Sequence, residues 1–264
     1  MNNFTNRQER ARKAKLHTES MAKRYEKEIK EAVENTKEYS CIEYVNERVY
    51  DVDPEPMIRH TDNRPKVVFM NTDSVSAIFA SKGKKIAVLN FASYKNPGGM
   101  FYDGSSAQEE SLCHESFLYN VLREFNDSYY EFNRNHVNKA QYMNRALYTP
   151  KVVFEHMGMT KECDVITCAA PNYAPAIRYG SVTKDENSRN LELRIKFIRM
   201  IVDKNEPDTL ILGAFGAGVF KQDATEVAAL FEKHFADSGV GTIVYAVPGN
   251  DKNTKAFSER FGKR

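Results

Sequence analysis

From residue 66 onward, short apolar runs bounded by turn residues alternate with longer stretches whose apolar residues recur every three to four positions. No other feature constrains the fold as strongly. The runs at 66–70, 85–91, 164–169, 209–212 and 242–247 are brief and several are β-branched, the pattern of buried strands. Between them, residues 107–125, 187–204 and 224–236 predict helices, and a last short helix is expected after Asp251. Leu191, Ile195, Ile198 and Val202 fall on one face, a stripe with the 3.6-residue period. Strands alternating with helices imply an α/β fold whose mixed or mostly parallel sheet is covered on both faces. Ligands of such folds bind in the loops beyond the carboxyl ends of the strands. The candidate site is sought there.

The first 38 or so residues differ: they are rich in Lys, Glu, Arg and Gln and lack both Gly and Pro. They read as one or two solvated helices, with Met21, Tyr25 and Ile29 four apart along a face that lies against the domain. A binding arm for a charged partner is the other reading. The expected organisation is a helical extension over residues 1–50 and a domain over 51–264. At 41% apolar the chain has enough material for a core. A formal net charge of +2 gives no sign of a protein built to live on nucleic acid. No apolar run approaches the roughly 18 residues of a membrane span, and the charged N-terminus does not suit a secretory signal. Cys41, Cys113, Cys163 and Cys168 show no CxxC spacing, so the expectation is a cytoplasmic protein without zinc or disulfides.

The run ending at Phe91 enters a loop containing Pro97, Gly98, Gly99 and Gly104. Paired glycines let backbone approach a ligand and expose N–H groups as anion donors. Gln108, Glu109 and Glu110 follow at the start of a predicted helix. Two adjacent carboxylates suit glycosidic chemistry, one protonating a leaving oxygen while the other orients sugar hydroxyls. The bland reading is that Glu109 closes a capping box with Ser106 and that acids simply favour the first helical turn. Because a helix N-terminus depresses a carboxyl pKa, an acid here has to sit in a closed pocket.

After the run at 209–212, Gly213, Gly216 and Gly218 precede the next helix, where amides can cradle a phosphate. The spacing is neither a P-loop nor the dinucleotide fingerprint. Asp223 is expected to be a helix cap. Phe220, a large ring beside three glycines, either tucks into the core or covers a ligand's ribose or base.

Together these loops resemble the microbial poly(ADP-ribose) glycohydrolases. Asn96-Pro97-Gly98-Gly99, then Gln108-Glu109-Glu110, is similar to the family signature of a triple glycine, a short spacer and Gln-Glu-Glu. The runs at 166–173 and 210–223 resemble the same family, and the likeness spans about residues 66–250. It implies a macrodomain-like three-layer α/β/α fold with a mixed central sheet, and an enzyme that binds terminal ADP-ribose and hydrolyses the ribose–ribose O-glycosidic bond. By the same likeness, Glu110 is the acid/base, Glu109 orients ribose hydroxyls, and Gln108 supports the loop. Asn90 faces the distal ribose, Gly98 and Gly99 match the signature glycines, and Gly216, Ala217, Gly218, Val219 and Phe220 match the diphosphate loop. No metal and no cofactor are implied. The partners implied are ADP-ribose and poly(ADP-ribose) on modified proteins, met as a monomer, with no membrane and no sequence-specific nucleic acid.

One departure stands out: Met100 occupies the place of the third signature glycine. If that position needs φ > 0, or close backbone approach, the side chain intrudes on the ligand. This leaves two alternatives, a mono-ADP-ribosyl hydrolase and a non-catalytic ADP-ribose reader. His17, His60, His114, His136, His156 and His234 share no ligand-like spacing. Cys113 and Cys168 read as small buried hydrophobes. The aromatic, Asn-rich stretch 126–150 reads as a surface excursion, with base stacking as the functional option. Asn172, Tyr173 and Tyr179 are placed near an adenine by analogy alone.

Overall fold

The strand–helix alternation is realised in a computed structural model that describes residues 2–46, 48–54 and 64–262. In chain order the elements are α1 (Asn2–Arg24), α2 (Glu26–Asn35), β1 (Lys37–Ser40), β2 (Ile42–Val45), β3 (Arg48–Asp51), β4 (Lys66–Met70), α3 (Ser74–Ala80) and β5 (Ile86–Phe91). There follow α4 (Gln108–His114), α5 (Leu118–Leu122), α6 (Glu131–Asn135), β6 (Arg145–His156), β7 (Met159–Cys168) and α7 (Tyr173–Tyr179). The last are α8 (Lys184–Asn205), β8 (Thr209–Leu212), α9 (Ala224–Phe235), β9 (Thr242–Ala246) and α10 (Lys252–Phe261). Seven strands form one sheet in the order β1-β6-β7-β5-β8-β9-β4, and β2 pairs with β3 in a separate hairpin. The pairs β7–β5, β5–β8, β8–β9 and β9–β4 are parallel, whereas β1–β6 and β6–β7 are antiparallel, so the sheet is mixed as expected.

Both faces are covered. Against one face, α8, α9 and α10 bury Leu191, Ile195, Ile198, Phe231 and Phe257. Against the other, α1 to α5 bury Met21, Ile78, Leu112 and Leu118 with Val88 and Val165 of the strands. Each fully buried side chain of this size contributes about 1.5–3 kcal/mol by leaving water, and the two layers fix the sheet's loops rigidly from below. The helix starts follow local chemistry. Asp223 accepts from the Thr225 and Glu226 amides, as expected of a cap, and Thr183 with Glu186 closes a full capping box on α8.

Four expectations change. The single helix over 107–125 is broken: α4 ends at His114 and α5 starts at Leu118, because Ser116 bonds to the Leu112 carbonyl and pairs as an isolated bridge with Phe154. The stretch 126–150 is not all surface excursion. Tyr129 and Tyr130 are fully buried, and the segment from Arg145 is the start of β6. The strand seen at 164–169 is the end of a longer β7 that pairs with β6 through a two-residue turn at Met157 and Gly158. Pro150 sits in β6 where the register shifts between Thr149 and Val152, a place that tolerates a missing amide donor. Ahead of residue 50 the chain supplies two helices and also β1, the sheet's edge strand beside β6.

Candidate active site

Strand β5 delivers Asn90 and Phe91 to the sheet's carboxyl edge, and α4 begins where its first turn lies against that edge. Gln108 makes the connection: its Oε1 accepts from the Phe91 amide at 2.8 Å, and its Nε2 donates to the Leu89 carbonyl at 2.9 Å and the Ser74 hydroxyl at 3.0 Å. All its amide groups bind protein, so it is a strut that registers α4 on β5.

The strut presents Glu109 and Glu110 inward, with only 3% and 5% of their surfaces exposed. Glu109 does not fold back onto Ser106. No side chain caps α4, and Glu109 instead accepts from the Ser93 amide at 2.7 Å and the Asn90 amide group at 3.2 Å. Burial pushes its carboxyl up to about 8. The Ser93 and Asn90 donors pull the other way, and the neighbouring Glu110 charge adds to the rise. Glu110 is held at one oxygen: Oε1 accepts from the Met100 amide at 2.9 Å. Its Oε2 is buried with no hydrogen-bond partner, as is Asn90 Oδ1. Both Glu109 oxygens are thus bonded, whereas Glu110 keeps one oxygen uncommitted.

Gly98 and Gly99 both adopt φ +64, which L-residues disfavour. Gly99 is bare by necessity: a Cβ there would lie 2.6 Å from Glu110 Oε1 and 3.0 Å from Glu109 Oε2. Its backbone therefore packs directly on both carboxyls. Met100 does not intrude. Its φ is −108, within the range of any residue, and its side chain is half exposed.

The loop after β8 stands beside this one, because β5 and β8 are parallel neighbours and Phe91 meets Phe215 edge-on at 5.8 Å. Gly216 has φ +72 and packs on Ala170 and Gln222, which fixes the turn. Ala217 is buried, Val219 exposed, and a side chain at Gly218 would meet nothing within 4 Å. Among the described residues nothing accepts from the amides of Gly216, Gly218, Val219 or Phe220. Four free N–H groups in one loop suit a diphosphate. Phe220 is half buried, edge-on to Tyr142 at 6.2 Å, and Tyr142 stacks on Tyr94 of the first loop at 3.9 Å. This aromatic column ties the two loops together.

The other candidates do not join the acidic pair. Cys113 is fully buried and burial holds its thiol well above the usual range, the inert case. Asn172 caps α7 and donates to the Tyr142 hydroxyl at 3.4 Å, and the Tyr173 amide donates to the Phe220 carbonyl at 2.9 Å, so both lie against the second loop, whereas Tyr179 is exposed. A cavity of about 350 Å³, lined by Tyr173, Lys184, Lys221 and Lys252 among others, opens beside the second loop and does not reach the acidic pair. Among the described residues no three His, Cys, Asp or Glu side chains converge as metal ligands, and no helix is long and apolar enough to cross a membrane. His60 lies outside the described residues. Sequence reasoning missed Ser93, Thr167 (which accepts from Asn90 at 3.3 Å) and Arg194. Arg194 is buried in α8 and donates to the Asn144 side chain at 2.7 Å and to the Ala169 carbonyl, tying the loops behind the site. A charged residue beside Ile195 in that apolar stripe was the available signal.

The family described as microbial-type PARG, catalytic domain, matches residues 8–156. Among solved structures, poly(ADP-ribose) glycohydrolase from Thermomonospora curvata is similar with a TM-score of 0.79 and 24% identity, over 96% of this chain and 99% of that one. The same enzyme bound to the inhibitor ADP-HPD gives 0.78 at 24% identity, with the same coverage of both chains. Poly(ADP-ribose) glycohydrolase from Deinococcus radiodurans in complex with ADP-ribose gives 0.75 at 24% identity, over 89% of this chain and 96% of that one. No curated protein matches the sequence.

Proposed function

We propose, from the premise that the chain belongs to the microbial-type poly(ADP-ribose) glycohydrolase catalytic-domain family, that it binds the terminal ADP-ribose of poly(ADP-ribose) and hydrolyses the ribose–ribose bond with Glu110 as acid and base. The observation that carries this reading is the buried carboxyl pair under Gly99, with Glu110 anchored at one oxygen and unbonded at the other. The unbonded Glu110 oxygen is where a proton can pass to the leaving ribose oxygen. Protonation weakens the glycosidic bond, an oxocarbenium-like centre develops at C1″, and water attacks. The carboxylate left on Glu110 takes the proton of that water, and the starting state returns.

The remaining residues position the substrate. The free amides of Gly216, Gly218, Val219 and Phe220 suit the diphosphate, and the Phe220 ring suits the adjoining ribose. Glu109, held by Ser93 and Asn90, suits the ribose hydroxyls. Its position supports an orienting role over that of acid, because both oxygens are already bonded. Met100 gives no support to the reader or the mono-specific hydrolase, since its backbone is unstrained and its side chain is half exposed. The partners proposed are ADP-ribose and poly(ADP-ribose) on modified proteins, met by a monomeric macrodomain enzyme in the cytoplasm.

The test is release of free ADP-ribose from purified polymer, beside a mono-ADP-ribosylated protein and a binding titration with ADP-ribose. Release from the polymer supports the reading. Release only from the mono-modified protein replaces it with the mono-specific hydrolase, and binding without release replaces it with the reader.

A further inference from the structure

Helix α1 lies across the back of the loop that holds Glu110. The turn Phe101–Asp103 follows Met100 and closes with Gly104 at φ +73. The Asp103 and Ser105 amides both donate to the Met100 carbonyl at 3.1 Å, so the turn and Met100 move as one unit. Two arginines of α1 grip that unit. Arg7 Nε donates to the Asp103 carbonyl at 2.7 Å and Arg10 Nε to the Gly104 carbonyl at 2.8 Å. The helix backbone touches the turn as well: a Cβ on Gly104 would lie within 2.0 Å of the Arg7 carbonyl oxygen. The same Met100 supplies the amide that holds Glu110 Oε1 at 2.9 Å.

We infer that Arg7 and Arg10 are positioning residues for the reaction, holding the Met100 amide and through it the Glu110 carboxyl in place. The inference rests on the catalytic reading of Glu110 given above. Hydrogen bonds from a guanidinium are about twice as strong as neutral ones, and here they lock the two carbonyls at the outer end of a turn whose other end is seated by the fully buried Phe101 ring against His114 and Tyr119. The rest of α1 is secured independently. His17 bonds to the Ser116 carbonyl, Asn120 donates to the Thr18 carbonyl, and Arg24 and Tyr25 meet Glu155, while Ala14 and Met21 are fully buried. Removing the two guanidinium groups therefore leaves the helix and the Phe101 ring docked and loosens the end of the turn at Asp103 and Gly104, where the Asp103 and Ser105 amides hold the Met100 carbonyl.

The experiment compares Arg7→Met, Arg10→Met and the double variant with wild type in the full chain. Arg12→Met is the control, since among the described residues that guanidinium bonds only to Glu9 of the same helix. Steady-state release of ADP-ribose from polymer should show kcat falling about 10-fold in each single variant and about 100-fold in the double, because a catalytic group displaced by about 1 Å loses rate on that order. KM should stay within about 2-fold, Arg10→Lys should recover part of kcat, and Arg12→Met should match wild type. Hydrogen exchange at the Met100, Asp103, Gly104 and Ser105 amides gives a readout independent of substrate, and it should speed up about 10-fold in the double variant. Unchanged exchange overturns the inference, and so does a rise in KM at constant kcat. If wild type releases no ADP-ribose, the catalytic reading fails on its own, and the exchange result still decides whether the arginines hold the turn.

Discussion

Replacing Gly99 with alanine isolates what that glycine does. The methyl group arrives 2.6 Å from Glu110 Oε1 and 3.0 Å from Glu109 Oε2. Reaching an ordinary carbon–oxygen contact requires the Glu110 oxygen to retreat by about 0.8 Å. That oxygen is bonded to the Met100 amide at 2.9 Å, so the retreat stretches or breaks the bond that seats the carboxyl. Alanine at φ +64 adds a backbone penalty of about 1–2 kcal/mol. The two effects separate by comparison with Gly158→Ala, at φ +78 in the β6–β7 turn, where a Cβ meets nothing within 4 Å. Gly158→Ala should lose about 1–2 kcal/mol in denaturant unfolding, and Gly99→Ala should lose more, because the clash adds to the same backbone penalty. Only Gly99→Ala should lose turnover, by about 100-fold in kcat on polymer. If Gly99→Ala keeps kcat within about 2-fold while showing the same stability loss as Gly158→Ala, the argument that a bare backbone seats the two carboxyls is wrong.

Three further outcomes follow from the same geometry. Glu109 is raised from 4.5 to about 8 by burial; its folded form therefore holds a proton that the unfolded chain has lost between those pH values, and unfolding free energy should fall by up to about 1.4 kcal/mol per pH unit across that window. Its contribution is intact below about pH 4.5, and Glu109→Gln should flatten the slope; parallel stability profiles for the two chains would contradict the assignment. Met100→Gly should cost about 0.5–1 kcal/mol of stability through backbone entropy and leave kcat within about 2-fold, whereas a large gain in rate would mean that the side chain obstructs the site. Phe220→Ala should weaken ADP-ribose binding about 10-fold, or about 1.4 kcal/mol, in a calorimetric titration, and unchanged affinity would return Phe220 to a packing role.

Much of the central sheet was legible because its parallel strands are short, apolar and bounded by turns. The strands at 66–70 and 209–212 match the structure in both ends. The β6–β7 hairpin was not, for a physical reason. Its first strand carries Pro150 and a register shift, and Thr149, Lys151 and Glu155 interrupt the apolar pattern, so periodicity fails although Val152 and Phe154 are buried. The broken helix after α4 was equally hidden, since Ser116 ends it by a contact with Phe154, distant in sequence. At the site, the residue types were readable and the division of labour was not. Sequence left Glu109 between a capping box and a pocket, and the choice depended on the Ser93 amide and Asn90 across the loop. Likewise Met100 looked like an obstruction until its φ of −108 showed that the position asks nothing special of its residue.

Glu110 carries the proposed chemistry, and a single comparison tests it: ADP-ribose affinity and polymer turnover of Glu110→Gln beside wild type. The substitution keeps an oxygen for the Met100 amide and removes the titratable proton, so affinity should stay within a few-fold while turnover falls by about 100-fold or more. A Glu110→Gln chain that still releases ADP-ribose at a rate near wild type would contradict the central claim, and the acid would have to be sought at Glu109.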